Sequence, residues 1–162
     1  MDEQAPTRQQ PPPHDGRALV VGFDRHSASH AALRFAMGLA EQLGARLHVV
    51  HVLDLEDTPI DADEDGESWS RHIGRELERS QEEVRQILGA SSVGWAYHRR
   101  SGDPANQLVA AAEDLDALMI VVGSPPRGLR TALDHILGGA VVEELFHRSS
   151  RPVVLVPDKH MG

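Results

Sequence analysis

Short β-branched apolar runs alternate with longer amphipathic segments along this chain, and no other feature restricts its fold as much. Ala18–Phe23 (ALVVGF) and Leu118–Val122 (LMIVV) are continuously apolar, the pattern of strands buried on both faces. Leu47–Leu53 (LHVVHVL) and Val153–Val156 (VVLV) read as two more strands. Val93–Arg99 is a weaker fifth, since Gly94 interrupts it and Tyr97 and His98 are amphipathic. The intervening segments have helical spacing. Ser29 is the expected cap of a helix through Leu43, with Ala32, Leu33, Phe35, Ala36, Leu39, Ala40 and Leu43 on one stripe and Gly44 as its C-terminal cap. A second helix, from about Glu67 to Leu88, carries Trp69, Ile73, Leu77, Val84, Ile87 and Leu88. Asp103-Pro104 starts a third, with Asp as cap and Pro at the first helical position, running to about Asp114. The fourth spans about Gly139 to His147. Five strands alternating with four helices imply parallel βαβ units and one open α/β sheet.

Composition then narrows the function classes. The 162 residues fit one domain of ordinary size, expected over 17–158, with 1–16 a disordered proline-bearing leader and 159–162 a tail. There is no cysteine, which excludes a disulfide framework, a thiol nucleophile and a thiolate zinc site. No apolar run approaches the roughly 20 residues of a membrane span, and the first residues lack the apolar core of a secretory signal. A cytoplasmic protein is expected. The formal charge is −9, with 25 acids against 16 bases, which argues against gripping nucleic acid or an anionic membrane. Eight of those acids, and no base, fall from Asp54 to Glu67, seven of them in the expected acidic loop 54–66. Removing those eight from 25 leaves 17 acids against 16 bases, so the rest of the chain is nearly neutral.

In an open α/β sheet, ligands bind beyond the carboxyl ends of the strands where strand order reverses. The candidates are therefore Asp24-Arg25-His26-Ser27, Val52-Leu53-Asp54 and the loop Gly123-Ser124-Pro125-Pro126-Arg127-Gly128, with Gly138-Gly139 before the last helix. Glycines ahead of a helix N-terminus let backbone amides approach phosphate, and Arg127 and Arg130 add positive charge; ordinary tight turns need glycines as well. The loop is neither a Walker loop nor a Gly-x-Gly-x-x-Gly fingerprint. Asp24 is either a ligand contact or the cap of a turn. His26 is placed at the rim. Histidines 48 and 51 lie three apart on one strand and must face opposite ways, so they cannot share a metal. Asp61-Ala62-Asp63-Glu64-Asp65-Gly66 copies the first half of a calcium loop, but His72 stands where the closing Glu belongs, so a solvated acidic loop is expected. No metal site is read from these residues.

Three segments resemble the universal stress protein family: VVGFDRHSASHAALRFA (20–36), GDPANQLVAAAEDLDALMIVVGS (102–124) and VVEELFHRSSRPVVLVP (141–157). The resemblance implies an adenine-nucleotide α-hydrolase-like fold, a five-stranded parallel sheet of order 3-2-1-4-5 with helices on both faces. It also implies a regulatory stress-response protein, at most a slow ATPase. Nucleotide-binding members carry Gly-x2-Gly-x9-Gly-Ser/Thr, and an Asp after the first strand at the adenosine. Asp24 matches that acid and Gly123 the first glycine, but Pro126 occupies the second position. Gly128 keeps the nine-residue interval to Gly138; counted back from Pro152, Gly139 becomes the last glycine. The positions that usually carry hydroxyls are then Gly139 and Val141, or Ala140 and Val142. The implied ligand is ATP or AMP, held by Asp24, Val52, Gly123, Arg127, Gly128, Gly138 and Gly139, with no metal beyond the magnesium that accompanies ATP. The family also implies a homodimer formed through the last strand, Val153, Val154, Leu155 and Val156. A nucleotide-free dimeric interaction protein is the alternative.

Overall fold

The computed structural model describes residues 16–54, 66–124 and 139–158. The order along the chain is β1 (Ala18–Gly22), α1 (Ser27–Leu43), β2 (Arg46–Leu53), α2 (Gly66–Leu88), β3 (Trp95–Ser101), α3 (Pro104–Asp114), β4 (Met119–Gly123), α4 (Gly139–Arg148) and β5 (Val153–Val156). The strands pair in parallel in the spatial order β3-β2-β1-β4-β5, as expected, so order reverses between β1 and β4. The expected leader up to residue 15, the acidic segment 55–65 with its calcium-like half, the segment 125–138 and the tail lie outside the described residues.

The continuous apolar runs do what their pattern dictates. Leu19, Val20, Val21, Ile120 and Val121 are fully buried in the two central strands. Side chains alternate between faces. Leu19, Val21, Leu47 and Val49 meet Ala32, Leu33, Ala36 and Ala40 of α1 and Val84 and Leu88 of α2. Val20, Val50 and Ile120 meet Ala105, Leu108, Ala111 and Ala112 of α3 and Leu145 of α4. The alanines on α1 and α3 bring each helix close to the sheet. Each fully buried Leu, Ile or Val contributes roughly 1.5–3 kcal/mol.

The punctuation residues act as expected at most ends. Gly44 takes a left-handed conformation (φ 61°) and ends α1, and Asp103 accepts a hydrogen bond from the Asn106 amide (2.9 Å) at the start of α3. Two boundaries differ. The cap residue of α1 is His26, not Ser29, and the helix begins at Ser27. Ser29 is buried, and its hydroxyl donates back to the His26 carbonyl (2.9 Å). β3 runs two residues later than its apolar pattern suggests, because Gly94 stays outside it and the polar Arg100 and Ser101 pair with Val52 and Leu53.

Candidate ligand-binding site

Three of the sequence candidates gather at the carboxyl edge of adjacent strands. Asp24 follows β1, Val52 lies near the end of β2, and Gly123 ends β4. Gly22 pairs with Val50, and the Phe23 amide donates to the Val50 carbonyl (3.0 Å), so β1 ends beside Val50 while β2 continues to Leu53. Val52 is half-buried against the α3 face. Gly139 opens α4 as expected. Arg127, Gly128 and Gly138, together with Pro126 and Arg130, lie outside the described residues.

Gly123 is required by packing. A Cβ there would stand 2.5 Å from the carbonyl carbon and oxygen of Ala28, so only glycine lets the N-terminus of α1 rest on the end of β4. This places a helix N-terminus, and its partial positive charge, at the strand-order reversal. Beside it, the Ser27 hydroxyl donates to Asp158 beyond β5. An open cleft of about 680 Å³ lies there, lined by Ser27, His30, Ala31, Arg34, Val156, Pro157 and Asp158; it does not include Asp24, Val52 or Gly123.

Of the two readings open to Asp24, the structure shows the turn-closing one. One oxygen, Oδ1, accepts from the His26 amide (3.0 Å) and closes the turn into α1. The side chain is nevertheless more than half exposed, and its bond to the His26 amide uses Oδ1. His26 is exposed at the rim, with its ring 3.3 Å from Asp24 Oδ1. At the far side, neither register supplies the missing hydroxyls: Ala140 is exposed, and Val141 and Val142 pack against the α3-side core.

Sequence reading missed two polar clusters under α2. Arg25 has a left-handed backbone (φ 70°), which disfavours a residue with a side chain by roughly 1–2 kcal/mol. Its Nε and Nη2 both donate to Glu83 Oε1 (2.8 and 2.7 Å), and Nη1 donates to Glu76 Oε2 (2.7 Å). The hydrogen bonds from Arg25 hold the Glu83 carboxyl below its usual range, and those same bonds to Glu83 raise the guanidinium further. The other Glu83 oxygen meets His30 Nε2 at 3.0 Å. In the second cluster, the Tyr97 hydroxyl donates to Ser80 Oγ (2.8 Å), which lies 2.6 Å from His51 Nδ1. With Tyr97 donating, the Ser80 proton goes to Nδ1, an arrangement that needs a neutral imidazole. Burial pushes the His51 pKa down accordingly and the Tyr97 pKa up. One signal was available: Ser80 interrupts the apolar stripe of Leu77, Val84 and Leu88. On the opposite face, His48 Nδ1 and His98 Nε2 are 2.9 Å apart, so the two strand histidines do point to opposite sides. Among the described residues, no three His, Asp or Glu side chains converge as a metal site, and no helix is long and apolar enough to cross a membrane.

An open parallel sheet of order β3-β2-β1-β4-β5 with helices on both faces defines a doubly wound α/β domain. The chain belongs to the universal stress protein family, whose family model matches residues 17–157. It is 26% identical over 141 residues to a universal stress protein of Methanocaldococcus jannaschii, covering 86% of this chain and 81% of that one. Against a Mycobacterium tuberculosis universal stress protein it is 27% identical over 146 residues but spans about half of that protein's length, 49%. The fold matches an Archaeoglobus fulgidus universal stress protein solved in complex with dAMP, with a TM-score of 0.61, 22% identity, and coverage of 86% of this chain and 97% of that one. It also matches a universal stress protein solved in complex with cAMP, with a TM-score of 0.62, 22% identity, and coverage of 88% and 98%.

Proposed function

We propose that this protein is an adenine-nucleotide-binding regulatory member of its family, acting in the cytoplasm without catalysis. The observation that carries the reading is Asp24: one oxygen closes the turn, and the other remains to accept from a ribose hydroxyl or the adenine amino group at the strand-order reversal. Val52 supplies an apolar wall and Gly123 the close approach of α1. Arg127, Gly128, Gly138 and Gly139 complete the proposed phosphate end. That fold neighbours hold dAMP and cAMP supports the choice of ligand class.

The chain's departures from the family loop set the expected preference between ATP and AMP. A charge-assisted hydrogen bond contributes roughly 1.5–3 kcal/mol, or about one to two powers of ten in affinity. Two such bonds are absent at the terminal phosphates in either register. The ligand is therefore held mainly by its adenosine end, and AMP should bind within about tenfold of ATP. Mass spectrometry of ligand released from the purified protein, followed by calorimetric titration with AMP and ATP, tests this. Absence of binding at millimolar nucleotide would overturn it, and unchanged affinity in Asp24→Ala would overturn the site alone.

A homodimer through β5 belongs to the same proposal. Val153–Val156 is a half-buried apolar strand at the edge of the sheet, of the kind proteins cover. Sedimentation showing only monomer at micromolar concentration would overturn it. A dimer that binds no nucleotide would favour the second reading, an interaction protein working through its surfaces.

A further inference from the structure

We infer that Arg25 is a positioning residue: gripped by Glu76 and Glu83 of α2, it holds the turn after β1 in the conformation that presents Asp24 to a ligand. Its consequence for affinity rests on the nucleotide reading above; its consequence for the turn does not.

The backbone gives the first reason. A left-handed arginine between Asp24 and His26 is not a conformation the chain takes without support. The Asp24 side chain folds back onto the His26 amide across that residue, so relaxing Arg25 to negative φ would redirect the Asp24 carboxylate. The three guanidinium hydrogen bonds to Glu83 and Glu76 supply the support, in the forked geometry only arginine offers.

The surroundings close the circuit. Glu83 also contacts His30 Nε2, while His30 Nδ1 lies 2.9 Å from the His26 carbonyl oxygen, and the His30 ring packs edge-on against Phe23 at 5.1 Å. Residues on both sides of the turn are thus tied to one carboxylate of α2. The same helix reaches the neighbouring strand through Ser80 and His51. Asp24 and Val52 each have an immediate sequence neighbour, Arg25 and His51, bound to α2 on the face away from α3. One helix therefore sets the position of both proposed ligand residues.

Two measurements on the full chain decide the matter. The first is amide hydrogen exchange over residues 24–30 without any ligand. Arg25→Ala should speed exchange in this turn roughly tenfold, the factor expected when about one left-handed residue loses its support. Arg25→Gly, which takes positive φ freely, should affect it less. Glu83→Gln serves as the second variant should Arg25→Ala not fold, and should shift exchange in the same direction. The second measurement is the AMP dissociation constant at a temperature where circular dichroism shows each variant folded. Arg25→Ala should weaken binding about tenfold, and Arg25→Gly should recover at least a third of that loss on a logarithmic scale. A merely stabilising ion pair would leave affinity unchanged in folded variants, and that result overturns the positioning role. If the wild-type protein binds no nucleotide, the ligand reading fails, and exchange alone judges the turn: unchanged exchange in Arg25→Ala and Glu83→Gln overturns the inference.

Discussion

Helices α1 and α2 cover the same face of the sheet, yet they are attached by different forces. Helix α1 lays Ala32, Leu33, Ala36 and Ala40 flat on the central strands, all essentially without solvent exposure. Helix α2 buries Leu77, Val84 and Leu88, but polar contacts are interleaved with them: Ser80 to His51 and Tyr97, and Glu76 and Glu83 to Arg25. Apolar packing is insensitive to salt and pH; ion pairs and buried hydrogen bonds are sensitive to both. The domain thus frames its candidate site with one fixed wall, α1 on Gly123, and one conditional wall, α2 on Arg25 and His51.

The largest effect is expected in α1, the firmly packed wall. Leu33→Ala removes a fully buried side chain from the cluster it forms with Leu19, Val21, Leu47 and Val49. A loss of about 2–5 kcal/mol is expected in urea denaturation. A loss below about 1 kcal/mol would show that α1 is no more firmly held than α2.

Acidification should act through the polar contacts alone. Burial, more than the neighbouring charges of His98 and Arg46, pushes the His48 pKa down to about 4, and burial also lowers His51 and His98. The folded protein keeps these rings neutral, whereas the unfolded chain takes up protons near pH 6.5. Stability is therefore present above pH 6.5, falls as pH drops, and stops falling through this route near pH 4, where native His48 is protonated too. The His48 shift corresponds to at most about 3 kcal/mol across that window. Denaturation midpoints at pH 7, 5.5 and 4.5 check it, and a flat profile would contradict the buried neutral imidazoles. Of the three rings, His51 is the one bonded to α2, so through it exchange in α2 should rise before exchange in α1.

Ser80→Ala tests the conditional wall directly. It removes the atom between Tyr97 and His51, yet the Tyr97 hydroxyl already lies 3.2 Å from His51 Nδ1 and can donate there instead. Because that partner is available, the expected cost is about 1 kcal/mol rather than the larger penalty of a stranded buried donor. Tyr97→Phe with Ser80→Ala should cost more than the sum of the separate changes, since together they leave His51 Nδ1 without a donor.

How far the sequence foretold this depends on the range of each interaction. Strand runs, helical stripes, the Asp103 cap and the Gly44 terminator are local, and each is written within a few residues. The start of α1 was misplaced because Ser29, a good cap by type, turns inward to the His26 carbonyl. The positions of Asp24, Val52 and Gly123 at the carboxyl ends of strands were legible, although the packing of Gly123 against Ala28 needed coordinates. Arg25 was not legible as a gripped residue. Its partners lie 51 and 58 positions away on α2, and nothing in the local pattern distinguishes those glutamates from the other acids of that helix.

The smallest expected effect draws the boundary of the polar attachment. Arg99 on the outermost strand, β3, donates to Gln81 of α2 at 2.9 Å, the same kind of helix-to-sheet contact as Ser80 with His51. Arg99, however, is exposed, so water replaces the bond when it is lost and holding a long side chain offsets most of what the bond returns. Arg99→Ala should therefore change stability by less than about 0.5 kcal/mol, and leave AMP affinity and exchange over 24–30 untouched. A loss near that of Ser80→Ala would mean that α2 is held along its whole sheet-facing side, and the special standing given to Arg25 and Ser80 would go with it.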